Sequence, residues 1–190
     1  MAINLIKGEK INLAKDNPGL QNIRVGLSWD VKLNLTADLD AAVLILGEND
    51  KLLNDNSLVY YSNLKSEDQA VEHKGDNRDG SGDGDDETVL IDLSKVTTKA
   101  KSVLIILSSY AGENDQPVIF GRVQNATARI YDDKKGTTLY EFDLSEDMSN
   151  ATSMEMVKFY RHNNEWKMAS VGEKIGTSKV GLEDVLKKYN

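Results

Sequence analysis

Short segments in which apolar and polar residues alternate recur along the chain, and they constrain its fold more than any other feature. From Asn22 to Trp29, the apolar side chains of Ile23, Val25, Leu27 and Trp29 fall on one face of a strand. Further strands are predicted at residues 40–46, 58–61, 88–93 and 102–107. Because no helical pattern alternates with these segments, the sequence predicts an antiparallel β-sandwich rather than a parallel sheet.

Turn-forming residues between adjacent alternating segments predict three β-hairpins. The first turn is Lys7-Gly8-Glu9, the second is Asp133 to Gly136, and the third is His162-Asn163-Asn164. At each of these places, two consecutive strands are therefore expected to pair with each other.

The C-terminal tail is the one segment with a convincing helical pattern. Leu182, Val185, Leu186 and Tyr189 recur at helical spacing, and Ser178 is predicted to cap the helix. The 190 residues suit one domain. The predicted fold is therefore all-β, an antiparallel β-sandwich with a short C-terminal helix, in a single domain spanning residues 1–190.

Composition excludes several classes of function. The formal net charge of −8 has the wrong sign for binding a nucleic-acid backbone. The absence of cysteine rules out disulfides and thiolate metal sites, and it fits a cytoplasmic protein. There is no run of eighteen apolar residues and no apparent secretory signal, so a cytoplasmic location is predicted.

Six carboxylates crowd into the twelve residues from Asp76 to Glu87, directly before a predicted buried strand. We call residues 76–87 the acidic loop. Two carboxylates about 7 Å apart repel each other by roughly 2 kcal/mol at an effective dielectric constant near 20. The loop is therefore either a fully solvated turn, in which water and salt weaken the repulsion, or a site for a bound cation.

The spacing within the acidic loop favours a bound cation. Asp79, Ser81 and Asp83 alternate and are followed by Gly84 and Asp85, which is the arrangement that a calcium loop uses. The twelfth position counted from Asp79 is a leucine instead of the glutamate of an EF-hand. This loop is therefore expected to take further ligands from elsewhere in the chain.

Asp38 and Asp40 are the predicted source of those further ligands. In a strand they project from the same face, at the start of an apolar run that suits burial on both sides. Two such carboxylates would be costly to desolvate without a cation. With oxygen ligands alone, the candidate metals are Ca²⁺ first and then Mg²⁺ or Mn²⁺, and eight carboxylates are enough for two ions.

Six motifs in order along the chain resemble the TerD family of tellurium-resistance and stress-response proteins. They are "IRVGLSWD", "ADLDAAVLIL", "GDNRDGSGDGDDE", "VIFGRVQNATARIYD", "YRHNNEWKMASVG" and "GLEDVLKKYN". The resemblance implies a β-sandwich that binds two calcium ions. The ligands that it implies are Asp38, Asp40, Asp76, Asn77, Asp83, Asp85, Asp86 and Glu87. Arg78 and Asp79 stand where the family usually has a small uncharged pair, and Asp79 is a candidate ligand on spacing alone.

The search for catalytic motifs finds no nucleophile elbow, no Walker loop and no H-E-x-x-H, so an enzyme is not predicted. His73 is interpreted as a loop residue, and Asp132-Asp133 as a solvated turn. The resemblance implies a role in tellurite, phage or colicin resistance, through other proteins of a resistance or stress complex. One alternative is a C2-like module that binds anionic lipid peripherally through calcium, and a metal-dependent hydrolase ranks third.

Overall fold

The computed structural model describes residues 2–4, 6–30, 38–75, 84–111, 116–143, 150–178 and 180–190. Within these ranges the chain forms twelve strands: β1 (Ile3–Asn4), β2 (Lys10–Ile11), β3 (Asn22–Asp30), β4 (Asp38–Leu46), β5 (Leu58–Val59), β6 (Val71–His73), β7 (Glu87–Asp92), β8 (Ser102–Tyr110), β9 (Gln124–Asp132), β10 (Thr137–Asp143), β11 (Ser153–His162) and β12 (Glu165–Gly176). Two α-helices accompany them, α1 (Leu13–Asp16) and α2 (Gly181–Tyr189), with 3₁₀ turns at Glu48–Asp50, Asp55–Ser57 and Phe120–Arg122.

The strands form two six-stranded sheets. The first sheet has the order β1-β10-β9-β3-β7-β6, and the second has the order β2-β12-β11-β8-β4-β5. Neighbouring strands are antiparallel except for β1, which runs parallel to β10. The prediction of an antiparallel β-sandwich with a short C-terminal helix is confirmed.

Alternation along the central strands builds the core between the sheets. On β3, Ile23, Val25, Leu27 and Trp29 are all buried, and they contribute to the same core as the inward-facing residues of β4 from the second sheet. The outer face of β4 is also apolar, and Ala42, Leu44 and Leu46 pack beneath α2. The prediction that this strand is buried on both faces is therefore confirmed.

Two of the three predicted hairpins form, and the first one does not. β9 pairs with β10, and β11 pairs with β12 across Asn163 and Asn164, both of which have positive φ. The segments on either side of Gly8 instead join different sheets, β1 beside β10 and β2 beside β12. Alternation fixes which face of a strand is buried, but it does not determine which sheet edge the strand will pair with.

The C-terminal helix begins without the predicted serine cap. Its N-cap is Val180, and among the described residues no side chain caps the helix. The carboxylate of Asp184, in the first turn, instead accepts a hydrogen bond of 3.0 Å from the backbone N–H of Ser178. Across the described ranges, no helix is both long enough and apolar enough to cross a membrane.

Candidate metal centre

The D-x-D pair opens strand β4. Asp38 is half-buried and Asp40 is only 5% exposed. Because side chains alternate along a strand, both aspartates lie on the outer face of the second sheet, whereas Leu39 and Ala41 point into the core. Their cross-strand partners on β8 are Tyr110 and Ser108.

The end of the acidic loop contacts this same part of β4. Glu87 is the first residue of β7, and its side chain is buried between the two sheets. Its Oε2 accepts a hydrogen bond of 2.7 Å from the backbone N–H of Ala41. The structure therefore brings the D-x-D strand and the loop end together, although 46 residues separate the two hydrogen-bonded groups along the chain.

His73 completes this contact from the neighbouring strand β6. Its Nδ1 accepts a hydrogen bond from the backbone N–H of Gly75, so the proton lies on Nε2, which donates to the carbonyl oxygen of Ala41 at 3.1 Å. The same Nε2 lies 3.6 Å from Oε2 of Glu87. The interpretation of His73 as a loop residue was wrong, because it is the buried last residue of a strand.

The His73–Glu87 clamp, as we call this pair, compensates for a short edge strand. β5 pairs with β4 only at Val43 and Leu44, so at Ala41 it provides no backbone partner. Glu87 and His73 bind the N–H and the carbonyl of Ala41 in its place, and they link the first sheet to the second. The signal in the sequence was an alternating Val71-Glu72-His73, whose first and third residues face inward.

Asp86, the residue before β7, adds two hydrogen bonds to β3 beyond the paired strands. Its backbone N–H donates to the carbonyl oxygen of Leu27 at 2.7 Å, and its Oδ2 accepts the N–H of Trp29 at 2.9 Å. The backbone and the side chain of Asp86 together hold the last residue of the loop before the strand against β3.

Asp85 lies on the outer face of the first sheet, away from Asp38 and Asp40. Its Oδ2 accepts a hydrogen bond of 2.7 Å from a guanidinium nitrogen of Arg24, and its Oδ1 accepts a hydrogen bond of 2.9 Å from the hydroxyl of Tyr131. Arg129 approaches the same Oδ1 at 3.5 Å. Burial, and then the hydrogen bond to Asp85, raise the pKa of the Tyr131 hydroxyl above its ordinary value.

Nearby, one of the two acids in the turn at Asp132-Asp133 is less exposed than the sequence indicated. Asp132 is buried and forms an ion pair of 2.8 Å with Lys135, while Oδ1 of Asp133 lies 3.5 Å from Nε of Arg24. The interpretation as a solvated turn was therefore wrong for Asp132, whereas Asp133 is exposed.

Five of the nine predicted ligands lie within the described residues, and Asp76, Asn77, Asp79 and Asp83 lie outside them. Among the residues that are described, no three histidine, aspartate or glutamate side chains are grouped closely enough to hold a metal ion. The carboxylates of Asp38 and Asp40 have the donor chemistry that calcium requires, but they are too few for its six to eight ligands. The ligand set remains a prediction that needs the residues from 76 to 83.

A cavity of about 340 Å³ lies elsewhere, among the loops that include Asn54, Asp68 and Lys99. The half-buried acid Asp68 is already used for structure, because its Oδ1 accepts a hydrogen bond from the N–H of Ala70 and its Oδ2 accepts one from the N–H of Thr97. The carboxylate of Asp68 therefore connects two loops at this cavity.

The TerD domain model matches residues 1–189, and the chain therefore belongs to the TerD family. It is 37% identical over 191 residues to "Tellurium resistance protein TerD" of Serratia marcescens, covering 100% of this chain and 97% of that protein. It is likewise 37% identical to "Stress response protein SCP2" of Bacillus subtilis (strain 168), with 100% of both chains covered.

A solved structure shows the same fold. The crystal structure of a homologue of telluride resistance protein (TerD) from Streptomyces coelicolor A3(2) superposes with a TM-score of 0.70 at 18% identity, covering 82% of this chain and 90% of that chain. The resemblance read from the six sequence motifs is therefore confirmed at the level of family and fold.

Proposed function

We propose that this protein is a cytoplasmic, calcium-binding stress-response protein that acts through protein partners and not through catalysis. Two calcium ions would be held where the D-x-D strand meets the acidic loop. The observation that carries the proposal is the hydrogen bond of 2.7 Å between the Ala41 amide and Glu87, which joins these two acidic segments.

This contact supports a metal site because it places carboxylates where charge is costly. Asp40 is buried, and Glu87 is buried one residue away from it across the Ala41 amide. A divalent cation bound by Asp38, Asp40 and the acids of residues 76–83 would neutralise the loop and connect it to β4. Calcium accepts an irregular set of oxygen ligands more readily than magnesium, which favours calcium for ligands drawn from a strand and a loop.

The relatives support the cellular role. The Serratia marcescens protein carries the name of tellurium resistance, and the Bacillus subtilis protein carries the name of stress response. The described histidines favour binding over catalysis, because His73 is buried against the backbone of Ala41 and His162 lies exposed beside a turn.

Thermal unfolding with and without calcium tests the metal site. At free calcium 100-fold above Kd, each site should add about 2.7 kcal/mol to the free energy of unfolding, and magnesium should add less. Asp40→Ala should abolish most of this gain. The matched control is Asp50→Ala, which removes an exposed carboxylate paired with Lys158. A melting curve unchanged by calcium or chelator, with no metal retained, would contradict the proposal.

The partner role has a separate test. The tagged protein should recover different proteins from a bacterial lysate in calcium and in chelator. The same proteins recovered in equal yield under both conditions would show that calcium serves the structure alone.

A further inference from the structure

The carboxylate of Asp85 occupies a site built by the protein itself. Both of its oxygens are engaged, Oδ2 by Arg24 at 2.7 Å and Oδ1 by the Tyr131 hydroxyl at 2.9 Å, with Arg129 at 3.5 Å. The side chain is only 7% exposed. Two guanidinium groups and a phenol therefore already neutralise and desolvate this carboxylate without a metal.

The backbone beneath the carboxylate is shaped to receive it. A Cβ atom added at Gly26 would lie 2.1 Å from Oδ2 of Asp85, so only glycine leaves room for the acid at this point of β3. Arg24 is held in place in turn, because its guanidinium stacks on the ring of Tyr131 at 3.7 Å. The geometry is that of a preformed carboxylate pocket on the outer face of the first sheet.

We propose that Asp85 anchors the acidic loop to the first sheet and is not a calcium ligand, and that Arg24, Arg129 and Tyr131 are positioning residues for the calcium site. This inference rests on the proposed function. It departs from the ligand set that the family resemblance implies, since that set includes Asp85.

The anchor acts on the residues that follow it. With Asp85 fixed over Gly26, the next two residues are placed so that Asp86 binds the Trp29 N–H and Glu87 enters the core to bind the Ala41 N–H. A cation at Asp85 itself would lie beside two guanidinium groups, which would repel it. The arginines therefore favour a metal on the D-x-D side of the loop.

The direction in which Arg24→Gln changes calcium affinity distinguishes an anchoring role of Asp85 from a role as a calcium ligand. We would measure binding of CaCl₂ by titration calorimetry for the wild type, Arg24→Gln, Asp85→Asn and the double variant. If Asp85 is an anchor, Arg24→Gln should weaken calcium binding about tenfold, the usual range for residues that orient metal ligands. If Asp85 is a ligand, Arg24→Gln should leave the affinity unchanged or tighten it, because a competing cation has gone.

The number of bound ions and the double variant give two further readouts. An anchor predicts that Asp85→Asn binds as many ions as the wild type, and that the double variant binds no more weakly than the worse single variant. Loss of one ion in Asp85→Asn, or additive losses in the double variant, would overturn the inference. Tyr131→Phe removes only the hydroxyl and should weaken binding by about 3- to 5-fold, which keeps the test decisive if Arg24→Gln fails to fold.

Arg161→Gln is the matched control. Arg161 donates to the carbonyl oxygens of Val96 and Thr97 and stacks on Trp166, at the end of β11 far from the D-x-D pair. The Arg161→Gln substitution should lower the melting temperature without changing calcium affinity. If the wild type binds no calcium, both the proposed function and the positioning role are overturned. If the wild type binds calcium and Arg24→Gln binds it at least as tightly, only the anchor role of Asp85 is overturned.

Discussion

On the outer face of each sheet, a carboxylate with a buried side chain is bound by a basic side chain and a tyrosine, but the elements that supply the acid and its partners differ. On the first sheet, Asp85 comes from a loop, and its partners Arg24 and Tyr131 belong to strands. On the second sheet, Glu155 belongs to β11, and its partners Lys188 and Tyr189 come from α2, at 2.5 and 2.6 Å.

The same chemistry therefore attaches two different elements to the sandwich. Glu155 holds the end of a helix whose apolar face already packs on the sheet, while Asp85 holds the end of a loop whose preceding residues carry four of the predicted metal ligands. Only the first arrangement includes a residue of the acidic loop. Mutations at Glu155 should change stability alone, and mutations at Asp85 should change stability and calcium binding together.

Glu155→Ala should give the largest loss of stability. It leaves the buried Tyr189 hydroxyl without its acceptor and the half-exposed Lys188 ammonium with only the more distant Glu173 at 3.4 Å, and we expect a loss of about 2–3 kcal/mol in the free energy of unfolding. Urea unfolding should give the same loss in calcium and in chelator. A loss that depends on calcium would break the distinction between the two carboxylates.

Gly26→Ala should have the next largest effect, because it removes the space in which Asp85 lies. We expect a loss of about 2 kcal/mol from overpacking, measured by urea unfolding in chelator. In an Asp85→Ala background the same substitution should lose less than about 0.5 kcal/mol, since the clashing atoms are absent. Equal losses in both backgrounds would show that another contact makes Gly26 necessary.

Tyr189→Phe should have a smaller effect, because it removes one hydroxyl and keeps the buried ring. The expected loss is about 1.5 kcal/mol, the lower end of the usual net range for a hydrogen bond with a charged acceptor. The variant should bind calcium as the wild type does, in contrast to Tyr131→Phe. Weaker calcium binding in Tyr189→Phe would indicate that α2 is coupled to the metal centre.

The smallest expected effect is a change in stability at alkaline pH, and it compares Tyr189 with Tyr131. Burial, and then the hydrogen bond to Glu155, raise the pKa of Tyr189 above its ordinary value of 10.0. Above that pH the unfolded chain releases this proton while the folded protein keeps it. Stability should therefore fall as pH rises beyond about 10, by at most roughly 1.4 kcal/mol per pH unit for this group.

Tyr189→Phe should flatten this alkaline decline, measured as the free energy of unfolding between pH 9 and 11. Tyr131→Phe should flatten it as well, because the pKa of Tyr131 is raised in the same direction. An unchanged slope in both variants would show that neither hydroxyl keeps its proton in the folded protein at these pH values.

Much of the fold follows from the sequence by itself. The alternation on β3, the two apolar faces of β4 and the helical spacing in α2 depend on residues a few positions apart, so local periodicity predicts which side chains are buried. The crowding of charge in the acidic loop is also a local property, and the loop ends where Glu87 of β7 contacts Ala41 of β4.

Which residues pair with the charged side chains was decided by the tertiary structure alone. Arg24 and Asp85 are 61 residues apart, and His73 and Ala41 are 32 apart, so no short-range pattern could place them together. The separation of β1 and β2 into different sheets was decided in the same way, by the sheet edges available for pairing. Alternation specifies the face on which a side chain lies, whereas its partner is specified by the order and register of strands that are distant in sequence.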